Sequence, residues 1–171
     1  MTLVRRPVAV LVGPMGSGKS TIGSALAARC GVGFTDTDHE IEERSGRRIP
    51  EIFAVDGEGV FRRLEAEVVA EVVTTHDGVV SLGGGAIMNE RIREALQAHE
   101  VIWLQVSVGQ GSRRVGMNTV RPLMLGNVRG KLIELTRERT PFYESAATHA
   151  IDTDGREPEQ IVYEIAGVLR T

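Results

Sequence analysis

The residues best equipped for chemistry lie near the start of the chain, in Gly13-Pro14-Met15-Gly16-Ser17-Gly18-Lys19-Ser20. This is a complete Walker A pattern, set between an apolar run and a stretch of helical spacing. Its glycines let successive backbone N–H groups curl around a phosphate at the positive end of the following helix. Lys19 would reach the β- and γ-phosphates and the Ser20 hydroxyl a Mg²⁺ ion, with Thr21 completing the nucleotide-binding set. A plain glycine-rich turn with a solvated lysine needs no such full match, so the sequence predicts a nucleoside triphosphate site.

Further candidates follow. Asp36 and Asp38 are two apart, so in extended chain both carboxylates project to one side. One could serve a Mg²⁺ site and the other an acceptor hydroxyl, as orienter or base. The competing structural reading is a capping box, Thr37-x-x-Glu40. Phe61, Leu64 and Val68 set an apolar helix face, and Glu65 stands at its edge, where an unpaired carboxylate is costly. Arg62 could pair with Glu65, or with Glu58 as an ordinary surface pair four residues away. Gly83-Gly84-Gly85 permits close ligand approach, with backbone N–H groups available to an anion.

From Gly116 to Asn127 runs an irregular stretch with the composition of a lid. Gly116 and Gly126 flank Asn118, Thr119, Arg121 and Pro122, so Arg121 becomes a cation that closure could bring to the γ-phosphate. Arg113-Arg114 before it and Arg139 after it add positive charge of the kind phosphoryl transfer needs.

The elements that must position these groups alternate along the chain. Strands are predicted at 8–12, up to about 35, 79–82, 101–106 and 147–152. Helices are predicted at 20–30, closed by Gly31, at 57–75, at 89–99 behind an Asn89 cap, at 128–143 and at 159–170. Such alternation implies a parallel sheet covered on both faces, with ligands at the carboxyl ends of the strands. Cys30 follows Ile22 and Leu26 at four-residue steps and is expected in the core, as is Trp103. With 171 residues, 42% hydrophobic and 25% charged, the chain suits one soluble domain. A net charge of −3 argues against nucleic acid or an anionic membrane as partner. One cysteine excludes an intrachain disulfide. Arg5-Arg6 precede an apolar run that stops at Gly13, too short for a secretory signal, so the cytoplasm is expected.

Taken in order, the Walker A loop, Asp36-Thr37-Asp38, Gly57-Glu58-x-x-Phe61-Arg62, Gly83-Gly84-Gly85, Arg121-Pro122-Leu123 and Arg139-x-Pro141-x-Tyr143 resemble the shikimate kinase family. The resemblance covers essentially the whole chain, with Gly59 at a helix start as a small departure. It implies an α/β three-layer P-loop NTPase fold, nucleoside-monophosphate-kinase-like, with a five-stranded parallel sheet and a mobile lid. The implied division is a core of 1–35 and 76–115, an acceptor-binding region of about 36–75, a lid of about 116–128 and a C-terminal core of 129–171. By the same resemblance Lys19, Asp38 and Arg121 are catalytic, and Asp38, Phe61, Arg62, Gly83, Gly84, Gly85 and Arg139 bind shikimate. Asp36 and Ser20 belong to the Mg²⁺ site, Glu65 supports Arg62, and Arg114, Arg156 and Pro158 lie around the adenine. The implied activity is ATP-dependent 3-phosphorylation of shikimate in aromatic amino-acid biosynthesis, by a monomer. A kinase for another acidic polyol such as gluconate, and a non-catalytic ATP-binding regulatory module, are the alternatives.

Overall fold

In the computed structural model, residues 7–117 and 128–169 are described. Short apolar runs form the inner strands β1 (Ala9–Val12), β3 (Val79–Ser81) and β4 (Val101–Gln105), and the more polar β2 (Phe34–Asp36) and β5 (His149–Asp152) form the edges. They make one sheet in the order β2-β3-β1-β4-β5, every pair parallel. Helices α1 (Lys19–Cys30), α2 (Thr37–Ser45), α3 (Ile49–Asp56), α4 (Glu58–Thr75), α5 (Glu90–Leu96), α6 (Val108–Met117), α7 (Val128–Ala146) and α8 (Pro158–Val168) connect and cover it.

Alternation of side chains along the strands builds two cores. Ala9, Leu11, Val79, Ile102, Leu104 and Ile151 face α1 and α8. Val10, Val12, Val80, Leu82, Val101 and Trp103 pack in the other layer, with residues of α2, α3, α4, α5 and α7. The chain leaves β1 towards the β2 edge and β4 towards the β5 edge, which opens a crevice outside their carboxyl ends. The Walker A segment lies at that point.

The structure departs from the sequence expectations in four places. Cys30 is exposed, because it is the last residue of α1 and the helix turns off at Gly31 (φ 68°), beyond the cover that Ile22 and Leu26 receive. Helix α3 was not expected; its signals were Pro50 in the first turn and its closure at Gly57. Helix α6 was also unexpected, because Gly109, Gly111 and Gly116 depress its propensity. As a result Gly116 and Met117 belong to α6, not to an irregular stretch, while α7 begins at Val128 as expected. Fourth, the helix after Asn89 ends at Leu96, short of His99. Arg121, with Asn118, Thr119, Pro122, Leu123 and Gly126, lies outside the described residues.

Candidate active site

The phosphate loop is shaped by backbone that only glycine adopts easily. Gly13, Gly16 and Gly18 have φ of 152°, 80° and 89°. A Cβ at Gly13 would also stand 2.6 Å from the Leu104 carbonyl oxygen, so β4 presses directly on the turn. Gly18 caps α1 without a side-chain acceptor, and no acidic residue occupies the first turn. The first N–H groups of α1 are therefore left for an anion. Lys19 Nζ donates to the carbonyls of Gly13 at 2.6 Å and Pro14 at 3.1 Å, which folds the ammonium over the loop. Ser17 is fully buried in the turn, its hydroxyl without a partner among the described residues.

Beside the loop, Ser20 Oγ donates to Asp36 Oδ2 at 3.0 Å. The other oxygen of Asp36 accepts from the backbone N–H of Asp38 at 2.9 Å. Asp36, not Thr37, is thus the N-cap of α2, and the capping box is not formed. Thr37 is instead the first helical residue, fully buried. Nor do Asp36 and Asp38 share extended backbone: the strand ends at the first and the second stands in the helix, which swings the Asp38 carboxylate towards the glycine triplet. A Cβ on Gly83 would meet Asp38 Oδ1 at 2.8 Å. Burial, reinforced by the nearby charges of Asp36 and Glu65, pushes the Asp38 carboxyl from 3.8 to about 6, with Lys19 and Arg62 opposing. The hydroxyl of Ser20 and the carboxylate of Asp36 offer adjacent hard oxygens, the donor set that suits Mg²⁺ when phosphates and water complete the shell.

The triplet gathers the rest of the site. A Cβ on Gly84 would stand 3.3 Å from Arg139 Nη1, and one on Gly85 only 2.6 Å from Arg62 Nη2. Both guanidinium groups therefore rest against backbone that has no side chains of its own. Arg62 pairs with Glu65 at 2.8 Å and more loosely with Glu58 at 3.5 Å, so both pairings foreseen from spacing exist and the buried one is tighter. Glu65 is 1% exposed; burial raises its carboxyl and outweighs the lowering by Arg62 and Arg139. Phe61 lies under Arg62, with the guanidinium carbon 5.2 Å from its ring centre. Arg62 is held from two sides, while Asp38, Arg62 and Arg139 share one floor.

On the opposite flank, Arg114 reaches from α6 to donate to the Gly16 carbonyl at 2.8 Å and the Thr153 carbonyl at 3.4 Å. Pro158 opens α8. The Arg156 guanidinium runs along that helix, to the Asp152 carbonyl at 2.8 Å and to Glu164 at 2.5 Å. Thr153 gave no signal in the sequence; it is fully buried and its hydroxyl donates to Gln105 at 2.6 Å. A cavity of about 480 Å³ lies elsewhere, between α5 and the end of α7, lined by Glu90, Glu94, His99 and Thr148. None of the predicted site residues lines it; the site is the open crevice above β1, β2 and β3.

A phosphate loop, a hydroxyl–carboxylate pair, a buried aspartate and two braced arginines on a parallel sheet define a P-loop kinase of the nucleoside monophosphate kinase type. The shikimate kinase family model matches residues 15–170. The shikimate kinase of Thermobifida fusca is 52% identical over 96% of this chain and 95% of its own length. A solved shikimate kinase from Acinetobacter baumannii, in complex with shikimate, superposes with a TM-score of 0.90 at 35% identity, covering 96% of this chain and 93% of that one. The chain belongs to the shikimate kinase family. A gluconokinase from Sinorhizobium meliloti reaches a TM-score of 0.60 at 20% identity over 98% of this chain and 93% of its own, a likeness of fold alone.

Proposed function

We propose that this protein transfers the γ-phosphoryl group of ATP to the 3-hydroxyl of shikimate, giving ADP and shikimate 3-phosphate. The observation that carries this reading is the meeting of Asp38, Arg62 and Arg139 on one glycine floor beside the phosphate loop. Two arginines on one face suit planar, bidentate recognition of the shikimate carboxylate. With that group clamped and Phe61 alongside, the ring's hydroxyl edge meets Asp38.

Lys19 exchanges its two loop carbonyls for β- and γ-phosphate oxygens as the nucleotide enters the N–H cradle of Gly13 to Thr21. Asp38 then orients the acceptor hydroxyl and takes its proton. A carboxyl near 6 suits that task, since it is ionised at neutral pH yet basic enough to accept. Glu65 keeps Arg62 in place. Arg114 and the backbone around Arg156 and Pro158 border the adenine, and Arg121 supplies a further cation to the transferring group. Ser20 and Asp36 would hold Mg²⁺, which when bound neutralises phosphate charge. Residues 1–35 and 76–115 with 129–171 act as the core, about 36–75 as the acceptor-binding region and about 116–128 as the lid. The protein works as a cytoplasmic monomer, with neither nucleic acid nor membrane as partner; no helix among the described residues is long and apolar enough to span a bilayer.

The test is ADP release from Mg·ATP in a coupled assay, run with shikimate, with gluconate and with no acceptor. Release that depends on shikimate, with ³¹P NMR identifying the 3-phosphate, is the expected result. Release with gluconate alone overturns the acceptor, and ATP binding without release under any condition makes the chain a regulatory module.

A further inference from the structure

Tyr143 is 2% exposed and takes no part in the steps above. Its ring stacks on Trp103, with centroids 5.8 Å apart and planes inclined by 22°. Its hydroxyl donates to the Gly84 carbonyl at 2.6 Å. The Arg139 guanidinium, one helical turn earlier on α7, acts on the same phenol, opposing the upward push of burial. A neutral phenol has one proton to give and lone pairs to accept. The proton is given to Gly84, so the side of the phenol oxygen left for the Arg139 guanidinium is its lone pairs. Burial pushes the phenol up to about 12, so it keeps its proton at physiological pH.

The bond to Gly84 has a geometric consequence. In a trans peptide the carbonyl and the following N–H point in opposite directions. Holding the Gly84 carbonyl towards Tyr143 turns the Gly85 N–H away from it. The hydroxyl thereby fixes a peptide of the loop after β3 that lies against a guanidinium from α7. The two lie close, Arg139 Nη1 standing 3.3 Å from the place of a Gly84 Cβ.

We propose that Tyr143 is a positioning residue, whose hydroxyl sets Arg139 and the Gly84–Gly85 peptide against one another and so determines the preference for a carboxylate-bearing acceptor. This rests on the assignment of Arg62 and Arg139 as the carboxylate clamp. Tyr143→Phe keeps the ring and its stack on Trp103 and removes only the oxygen. Steady-state kinetics on shikimate and on its carboxamide, with KM for ATP and Tm recorded in parallel, read the effect.

The wild-type protein should prefer shikimate strongly. In Tyr143→Phe that preference should shrink about tenfold, the scale of one charge-assisted hydrogen bond. The change should fall on KM for shikimate, with KM for ATP within about twofold of wild type, a split that general loosening does not produce. In an Arg139→Ala background the same substitution should alter the preference no further. An unchanged preference in Tyr143→Phe, or a parallel rise in both KM values with a lowered Tm, overturns the proposal. A wild-type protein that turns over shikimate and carboxamide alike refutes the clamp itself, which the variant's behaviour cannot imitate.

Discussion

Replacing Asp38 by Asn should abolish most of the turnover and at the same time make the empty protein more stable. Burial beside Asp36 and Glu65 lifts the Asp38 carboxyl from 3.8 to about 6. A tenfold change in proton affinity is worth about 1.36 kcal/mol, so the ionised folded form carries a penalty of about 3 kcal/mol. The sign follows from proton counting. With its folded pKa above its unfolded one, Asp38 binds more protons in the folded state between about pH 4 and 6. Wild-type stability therefore falls as pH rises through that window, and the full penalty stands above about pH 6. Asn carries no charge but adds a buried amide and leaves Lys19 and Arg62 without this anion, so the net gain at pH 7.5 should be about 1–3 kcal/mol, or roughly 2–10 °C in Tm. The gain should be about half as large at pH 5 and small near pH 3.8, where the folded carboxyl is protonated and the unfolded one about half ionised. Differential scanning calorimetry without nucleotide or divalent cation, from pH 4 to 8, measures it; kcat with shikimate measures the loss of function. A variant no more stable at pH 7.5, or equally stabilised at pH 4, refutes the buried-charge argument. Unchanged kcat removes Asp38 from the chemistry.

Three further outcomes are expected. Lys19→Ala should lower turnover by about a thousandfold, as for a clamping cation in phosphoryl transfer; near-normal rates in the coupled assay would contradict its role. Arg62→Ala should weaken shikimate binding by about 2–5 kcal/mol in calorimetry and, by stranding buried Glu65, also destabilise the fold by about 3–5 kcal/mol. Adding Glu65→Gln should recover stability but not affinity, and recovery of both would mean that Arg62 does not touch the acceptor. Gly85→Ala should raise KM for shikimate about tenfold or more with little change in KM for ATP, by displacing Arg62; the backbone there, at φ −95°, tolerates alanine, so an unchanged KM would separate Arg62 from the triplet.

The sequence made the strand order of chemistry legible because each functional cluster follows a short apolar run. Val10–Val12 before the loop, Thr35 before the aspartates and Val80–Ser81 before the triplet all stand at strand ends in the structure. Glu65 was also foreseeable, since helical spacing alone put a carboxylate beside Phe61 and required a cation for it. Helix α6 was not, since its three glycines mask a helix that packing against α7 supports. Cys30 misled because periodicity reports the face of a helix and not where its cover ends. The division of labour between Asp36 and Asp38 was hidden for another reason: one residue closes a strand and the other opens a helix, so spacing counted along either element alone gives the wrong geometry. The hydroxyl of Tyr143 had no local signal, because its partner Gly84 comes from a distant loop.

The glycine floor also bears on how this protein could be inhibited and how it could resist. A compound resting on the backbone of Gly83, Gly84 and Gly85 has no side chain there to lose. A new Cβ at any of the three runs into Asp38, Arg139 or Arg62, at 2.8, 3.3 and 2.6 Å. Each substitution that pushes such a compound away pushes on a group that the proposed acceptor binding uses. Escape variants should therefore arise at the rim of the cleft, and those in the floor should be slow-growing in any cell that depends on this enzyme.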